Sequence, residues 1–386
     1  MVAVLTLSLL TGNLPFSGSR PASSGNGGNG GNGAFNPQQT PTPSNVVIVT
    51  PVTFKGSIVY AKDGNIWIQT SDAVRQLTNG GHDSMPSWSP DGHWIYFIRT
   101  TDAISPWNYG GGTLSYHETI PAVVRVPADG SAPPTKILDG KITKGSRFWF
   151  AWIRQPVLAP NGHTLAMVSD GPVPTNSDVV LQFYDLTTRK RTVPGVIETP
   201  PLGHQDPVWR SDGKVLLFVR NGRNGNRGAP AIYRWDTAAK TAKPLTGPGY
   251  LEPSFSPDGR YIAATRTSAL GNDVVILDAT SGRELLRVTT DGSSWAPVWS
   301  PSGDSIAYLN MQGQIVDLEL AKLSGTAPDW AVDQTIDLTQ DAGLDGASRP
   351  GWFLPASQQP APSALPSTSG SPSGSATPSA SGSSTP

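Results

Sequence analysis

Short apolar strands and tight polar turns alternate along the central part of the chain. The stretch PSWSPDGHWIYFI, which begins at Pro86, holds an aromatic-bearing strand, an Asp-Gly turn and a second strand with alternating apolar positions. Glycine accepts the positive φ that a tight hairpin turn requires, and apolar residues at every second position are typical of a half-buried strand. The pattern therefore predicts a β-hairpin.

This hairpin pattern recurs about 50 residues apart, a spacing typical of repeat proteins. The copies are PSWSPDGHWIYFI from Pro86, PVLAPNGHTLAMV from Pro156, PVWRSDGKVLLFV from Pro207, PSFSPDGRYIAAT from Pro253, PVWSPSGDSIAYL from Pro297 and a degenerate PGWFLP from Pro350. In the complete copies a third apolar strand and a weaker fourth strand follow the hairpin. Four antiparallel strands per repeat predict the blade of a β-propeller.

The first blade is divided between the two ends of the repeat region. Residues 56–78 supply a second, third and fourth strand without a preceding proline motif, and PGWF at 350–353 supplies the missing first strand. Pairing these segments closes the ring and removes exposed sheet edges. We therefore expect an all-β fold, a six-bladed β-propeller of four-stranded antiparallel blades in which the C-terminal strand completes the N-terminal blade.

The Pro-x-Trp-Ser-Pro-Asp-Gly repeat resembles that of the TolB-like six-bladed β-propeller family, over about residues 52–353. The resemblance implies the same architecture, a location outside the cytoplasm and a function through protein contacts in the cell envelope. We expect it to be limited to the propeller, because a Gly/Asn-rich segment stands where TolB has an N-terminal α/β domain.

Composition divides the chain into four predicted segments. Residues 1–16 are apolar and resemble a signal peptide or an anchor without its positively charged leader. Residues 17–51 read as a flexible Gly/Asn/Pro linker, 52–354 as the propeller and 355–386 as a disordered Pro/Ser/Gly tail. We expect contact with a membrane only through the N-terminal segment.

Charge and motif content argue against several functional classes. The formal net charge is −1, with 28 basic and 29 acidic residues and no basic block, so we expect no nucleic-acid partner. The absence of cysteine excludes disulfides, thiolate metal sites and a cysteine nucleophile. The sequence has no hydrolase nucleophile elbow, zinc-protease motif or P-loop. The repeated turn aspartates should lie apart around one rim, and we predict no catalytic residue, no metal site and no cofactor.

The connections that lead into each blade proline are predicted to meet at one face of the propeller, around the channel mouth. The loops between second and third strands emerge on the same face, which we call the loop face. The residue types found there are common at binding hot spots. The candidate binding residues are His82, Asp83, Trp107, Tyr109, Trp152, Arg154, His204, Asp206, Tyr250, Glu252, Trp295 and Arg349.

A structural role is the alternative for many of these aromatic residues, which could plug the channel or pack between blades. Trp88, Trp209 and Trp299 lie inside the repeat itself and are expected in the core. His93 and His163 follow tight turns and are expected on the surface.

The function that we predict is a non-catalytic scaffold, secreted or tethered by its N-terminus, which binds a protein or peptide at the cell envelope through the loop face. Two alternatives stay open. The first is a hydrolase at the channel mouth, with or without a metal ion, for which Asp83, Asp206 and Glu252 are the loose candidates. The second is a carbohydrate-binding module that uses exposed Trp side chains.

Overall fold

The computed structural model describes residues 46–48, 54–109, 112–144, 147–170, 179–194, 203–221 and 230–359. Six blades of antiparallel strands are arranged as a propeller, as the sequence predicts. The innermost strands of successive blades pack against one another around the axis, and the last contacts both of its neighbours to complete the ring.

The first blade combines the two ends of the described chain. Its strands, from the outside inwards, are β1 (Val46–Ile48), β4 (Ala73–Gln76), β3 (Asn65–Gln69), β2 (Ser57–Lys62) and β27 (Gly351–Phe353). Ser57 lies opposite Phe353, so the predicted closure by the C-terminal strand is confirmed. β1 adds a fifth strand by pairing with β4, and it lies within the segment 17–51 for which the sequence predicts a linker.

Each of the other blades is built from consecutive strands. The second contains β5 (Asp83–Trp88), β6 (Trp94–Tyr109), β7 (Gly112–Pro127) and β8 (Thr135–Asp139), and the hairpin β9 (Lys141–Lys144) and β10 (Arg147–Phe150) follows it. The third contains β11 (Ile153–Leu158), β12 (Thr164–Asp170), β13 (Val179–Asp185) and β14 (Arg191–Thr192). The fourth contains β15 (His204–Trp209), β16 (Val215–Arg220), β17 (Ala231–Asp236) and β18 (Thr241–Pro244).

The last two blades follow the same plan. The fifth contains β19 (Tyr250–Phe255), β20 (Tyr261–Ser268), β21 (Gly271–Asp278) and β22 (Glu284–Arg287). The sixth contains β23 (Ser294–Trp299), β24 (Ser305–Gln312), β25 (Ile315–Thr326) and β26 (Asp329–Asp337), and a 3-10 turn at Ala356–Gln358 follows β27.

The hydrophobic core lies between the blades, because apolar side chains of one sheet pack against those of the next. Ile66 of the first blade and Phe97 of the second, for example, are fully buried in one cluster. Trp299 is buried at 4% exposure, whereas Trp88 and Trp209 are partly buried and pack against core clusters.

A side-chain hydroxyl secures the outer strand of four blades. A threonine after the fourth strand accepts a hydrogen bond from a buried backbone N–H of the third, which would otherwise lack a partner inside the core. The N···Oγ1 pairs are Ile66–Thr78 at 2.9 Å, Ile232–Thr246 at 3.0 Å, Val274–Thr289 at 2.9 Å and Leu318–Thr339 at 2.9 Å.

The propeller has two different faces. The loop face carries the connections into each innermost strand and the turns between second and third strands, and the opposite face, here the turn face, carries the remaining hairpin turns. On the turn face, Asp91, Asp212 and Asp258 accept backbone N–H bonds of their own turns at 3.0–3.1 Å. His93 and His163 are exposed there, as predicted.

Candidate functional site

A long ribbon is the most prominent element of the loop face. β6 and β7 pair from Trp94–Pro127 to Tyr109–Gly112, whereas their neighbour β5 pairs with β6 only as far as Arg99. The remaining part of the ribbon therefore extends beyond the blade as two strands. The hairpin β9–β10, which connects the second blade to the third, packs against the ribbon. Ribbon and hairpin together form a raised region of the loop face.

The large apolar side chains that are most exposed in the described part of the chain all lie on the loop face. They are Ile104 at 59%, Ile142 at 38%, Trp152 at 51%, Leu270 at 89% and Ile315 at 37% exposure. Their positions are the ribbon, the hairpin β9–β10, the connection into β11, the β20–β21 turn and the first residue of β25. The sequence analysis missed four of the five, because isolated apolar residues in loops follow no repeat.

The hairpin β9–β10 and the connection into β11 form an aromatic platform, which we define as Phe148, Phe150 and Trp152. Trp152 packs edge to face on Phe150, with ring centroids 5.6 Å apart. Lys141 Nζ lies over the ring of Phe148, 4.1 Å from its centroid. The platform thus presents apolar surface whose geometry is fixed by ring contacts.

The predicted site residues divide by burial. His82 and Trp152 are exposed; Arg154, Tyr250, Glu252, Trp295 and Arg349 are partly buried; Asp83, His204 and Asp206 are buried. The side chains of Trp107 and Tyr109 lie outside the part of the chain that the structure describes. The loop face therefore contains exposed side chains as well as side chains that are buried in the propeller.

Asp83 anchors the base of the ribbon. Its carboxylate oxygens accept hydrogen bonds from Arg99 Nε and Nη2 at 2.6 and 2.7 Å, and Asp83 is only 1% exposed. This two-point geometry joins the first residue of β5 to β6 where the ribbon leaves the blade.

His204 replaces the threonine hydroxyl in the third blade. Its Nδ1 accepts a hydrogen bond from the backbone N–H of Leu181 at 3.0 Å, and its ring meets that of Phe218 edge to face at 4.9 Å. Burial, with a smaller contribution from the charge of Arg220, lowers the pKa of His204 to about 4. The imidazole is therefore neutral near pH 7 and acts as an acceptor within the core.

In five of the six blades, a β-bulge lies where the innermost strand meets its proline. The residue before the proline has a positive φ of 51–55° in five blades: Met85, Gln155, Asp206, Glu252 and Ala296. A bulge turns the side chain of its extra residue away from the regular pleat. No local composition signal marks these positions apart from the proline that follows.

The bulge residues bind one another across neighbouring blades. The Gln155 side chain exchanges two bonds with Asp206, Nε2 to Oδ1 at 2.6 Å and Oε1 from the backbone N–H at 2.8 Å. Glu252 N–H donates to Asp206 Oδ2 at 3.3 Å, and Ala296 N–H donates to Glu252 Oε2 at 2.8 Å. The axis is thus held by hydrogen bonds that run from the third blade to the sixth.

Arg349 connects this network to the ring-closing strand. Its Nη2 donates to the carbonyl oxygen of Pro253 at 2.6 Å, and its Nη1 lies 3.9 Å from Asp206 Oδ1. Burial and the charge of Asp206 raise the pKa of Glu252 to about 7. Burial also raises the pKa of Asp206, against the opposing charge of Arg349. Both acids accept hydrogen bonds from the scaffold at the axis.

Tyr250 and Trp295 have their polar atoms bound to the scaffold. Tyr250 Oη donates to Glu284 Oε2 at 3.2 Å, and Trp295 Nε1 donates to the carbonyl oxygen of Gly346 at 2.9 Å. Their partly buried rings line the loop face without a free polar end. Within the described residues, no group of three or more His, Asp or Glu side chains is placed to hold a metal ion.

Comparison with solved structures places this geometry among known propellers. TolB from Acinetobacter baumannii matches with a TM-score of 0.52 and 19% identity, over 77% of this chain and 66% of that one. A putative TolB from Agrobacterium tumefaciens matches with a TM-score of 0.50 and 15% identity, over 79% of this chain and 95% of that one. The fold is that of a TolB-like six-bladed β-propeller.

Two further comparisons give one match in fold and one partial match in sequence. A chain of a nidogen/laminin complex matches with a TM-score of 0.52 and 12% identity, over 76% of this chain and 97% of that one. The uncharacterized protein Atu1656 of Agrobacterium fabrum is 27% identical over 143 residues, which cover 36% of this chain and 45% of that protein. This chain thus spans just under two thirds of the Acinetobacter TolB and less than half of Atu1656.

No family model matches the chain. Among the described residues, no helix combines the length and the apolar character needed to cross a bilayer.

Proposed function

We propose that this TolB-like propeller is a non-catalytic scaffold that binds a protein or peptide partner through its loop face. The observation that carries the proposal is the position of the exposed apolar side chains, of which the five largest exposures in the described residues all lie on that face. Burial of exposed apolar side chains drives protein association.

The aromatic platform beside the ribbon is the proposed anchor. Trp152, at 51% exposure, offers a large ring that Phe150 already holds in place. Tryptophan is among the residue types enriched at binding hot spots, and a pre-ordered ring loses little conformational freedom when a partner covers it. Ile104, Ile142 and the exposed His82 complete the proposed contact surface.

Asp83, Asp206 and Glu252 are assigned to the scaffold in this proposal. Asp83 is paired with Arg99, whereas Asp206 and Glu252 accept bonds from neighbouring blades at the axis. The three candidate acids of a channel-mouth hydrolase are therefore all engaged in structural contacts. Their role is to keep the loop face rigid.

The cell envelope is the proposed location of the partner. The TolB-like fold and the apolar segment 1–16 support a protein that acts outside the cytoplasm, secreted or tethered by its N-terminus. We further propose that residues 17–51 act mainly as a linker and 355–386 as a tail, with the propeller between them.

A capture experiment with matched variants tests this proposal. The full chain is immobilised as wild type, as a loop-face variant (Ile142→Ser with Trp152→Ala) and as a turn-face variant (His93→Ala with His163→Ala). Envelope extract is passed over each, and any retained protein is purified and titrated by calorimetry. We expect a partner that binds the wild type and the turn-face variant equally and the loop-face variant at least tenfold more weakly. Equal binding to the loop-face variant would contradict the proposal.

A further inference from the structure

One edge of the β6–β7 ribbon has no strand beside it in the described part of the chain. The outer strand β8 pairs with β7 only as far as Ala122, and the N–H of Gly140 then donates to the carbonyl oxygen of Pro121 at 2.9 Å. Beyond this bond the chain turns into the hairpin β9–β10, which forms a sheet of its own. Residues 112–120 of β7 therefore pair only with β6.

The backbone groups on this edge of β7 point out of the ribbon at every second residue. In an antiparallel strand the N–H and C=O of one residue point to the same side, and successive residues alternate. The carbonyl oxygen of Pro121 points to the β8 side, so every second residue before it does the same. These residues are Thr113, Ser115, His117 and Thr119. Their backbone N–H and C=O groups have no partner among the described residues, and such a row is a template for another strand.

The opposite edge of the ribbon is interrupted by a proline. The N–H of Thr100 in β6 donates to the carbonyl oxygen of His82 at 3.0 Å, which places the even-numbered residues of β6 on that edge. Pro106 is one of them and has no N–H to donate. Proline at an outward position is a common protection of sheet edges against pairing. Of the two edges of the ribbon, only that of β7 offers an unbroken row of donors.

The two faces of the ribbon differ beside the β7 edge. On one face Ile104 lies opposite His117, and both side chains are exposed. On the other face Ala103 lies opposite Glu118, and both are partly buried. The hairpin β9–β10 contacts both strands of the ribbon, and Ile142 of β9 is 38% exposed. A strand beside β7 would thus have one face towards solvent and one towards Ile142, which suits apolar residues at every second position.

The first blade shows that this propeller accepts an added strand at an outer edge. β1 pairs with β4 as a fifth strand, with Val47 opposite Val74. The sequence of this segment, VVIVT at 46–50, consists of β-branched residues, which are favoured in strands. A short β-branched segment is therefore the kind of chain that pairs with an open edge here.

We propose that the loop-face partner adds a strand to the β7 edge of the ribbon. An extended segment of that protein, apolar at alternate positions, pairs with residues 113–119 and covers Ile142. Backbone hydrogen bonds supply affinity in this mode of recognition, and the alternate side chains supply specificity. The inference rests on the proposed function and states how the loop face binds its partner.

The segment that forms β1 supplies a probe that needs no partner. The peptide is residues 45–50, NVVIVT, with a lysine added at each end and both ends blocked. Its control carries N-methyl groups at Val47 and Ile48, which remove N–H groups from both edges of the peptide. The full-length protein, labelled with 15N, is titrated with each peptide by NMR.

We expect saturable shifts of the backbone amide signals of residues 113, 115, 117 and 119 with the unmodified peptide. The N-methylated control should bind at least tenfold more weakly. No saturable shift at millimolar peptide, shifts confined to β4, or equal binding of both peptides would overturn the proposal.

Three variants separate the backbone from the side chain. His117→Pro removes one outward N–H and should weaken peptide binding about tenfold, the effect of losing one or two hydrogen bonds. His117→Ala keeps that N–H, and Asn108→Pro removes an N–H only from the β6 edge, so both should bind like the wild type. Equal weakening by His117→Ala and His117→Pro, or by Asn108→Pro and His117→Pro, would contradict strand addition at β7. The N-methylated control tests the same bonds on unaltered protein if His117→Pro disturbs the ribbon.

The partner retained in the envelope capture is then titrated with the same variants. We expect binding about tenfold weaker with His117→Pro and unchanged with His117→Ala. A partner that is lost by the loop-face variant (Ile142→Ser with Trp152→Ala) but binds His117→Pro like the wild type would overturn strand addition and leave the proposed function standing.

Discussion

The two faces of the propeller differ in how they use the repeat. On the turn face, short turns bind their own backbone through aspartate or asparagine side chains and look alike from blade to blade. On the loop face, the connections differ from blade to blade, and exposed apolar side chains interrupt the polar surface. The contrast indicates that repeated positions build the ring, whereas the proposed binding surface consists of positions outside the repeat.

The strongest test of this contrast is at the axis, which we assign to the scaffold although it opens towards the loop face. Because the pKa of Glu252 is raised from 4.5 to about 7, the folded protein should lose stability as pH rises from about 4.5 to about 7. Glu252→Gln keeps an acceptor for the Ala296 N–H but cannot ionise. Its free energy of unfolding in urea should exceed that of the wild type by about 3 kcal/mol at pH 8 and be similar at pH 4.5.

His204 supplies the internal control for this measurement. Its pKa is lowered from 6.5 to about 4, so the unfolded chain takes up this proton first and stability is lost as pH falls from about 6.5 to about 4. Glu252→Gln should retain this acid limb. Parallel stability curves for wild type and variant between pH 4.5 and 7 would show that the pKa of Glu252 is not raised by burial at the axis.

Adjacent residues of one connection allow a direct comparison of scaffold and surface. Asp83→Ala leaves Arg99 without its partner and should lower the free energy of unfolding by about 2–3 kcal/mol. His82→Ala changes an exposed residue and should alter it by less than about 0.5 kcal/mol. Similar losses for both variants, measured by urea unfolding, would remove the distinction.

The threonine hydroxyl at the outer strand should have a smaller effect. Thr246→Val keeps the shape of the side chain but removes the acceptor of the buried Ile232 N–H, so it should cost about 1–2 kcal/mol. Thr241→Val, at an exposed position of the same strand, is the control and should cost less than about 0.5 kcal/mol. A neutral Thr246→Val would mean that this bond adds nothing to blade stability.

Trp152→Ala should have the least effect on stability and the largest on binding. The side chain is 51% exposed, so its removal should change the free energy of unfolding by less than about 0.5 kcal/mol. Affinity for the loop-face partner should fall at least tenfold in calorimetry. A destabilised variant would instead assign Trp152 to the core.

The fold could be predicted from the sequence because the repeat encodes it. The proline, the Asp-Gly turn and the apolar alternation recur, so blade number and closure by the strand at Gly351–Phe353 followed from counting them. The exposure of individual loop-face residues could not be predicted in the same way. Whether Asp206 or Tyr250 faces solvent depends on a bulge with positive φ and on contacts between blades, which lie far apart in sequence.

Two further groups of residues show why exposure and burial on the loop face could not be predicted from the sequence. Ile104 and Ile142 are exposed because the ribbon and the hairpin extend beyond the blade, and strand length beyond the ring is not encoded in the repeat. Asp83 and His204 looked like surface residues because polar side chains in loops usually are, yet each satisfies a specific partner in the interior.

The most direct test of the central claim is hydrogen exchange of the propeller, alone and with its purified partner. The account predicts slower exchange with the partner in the β6–β7 ribbon, the hairpin β9–β10 and the connection through Trp152. It predicts no change in the turns at 89–93, 160–163 and 256–260 of the turn face. Protection confined to those turns, with an unchanged ribbon and hairpin, would contradict the assignment of the loop face as the binding surface.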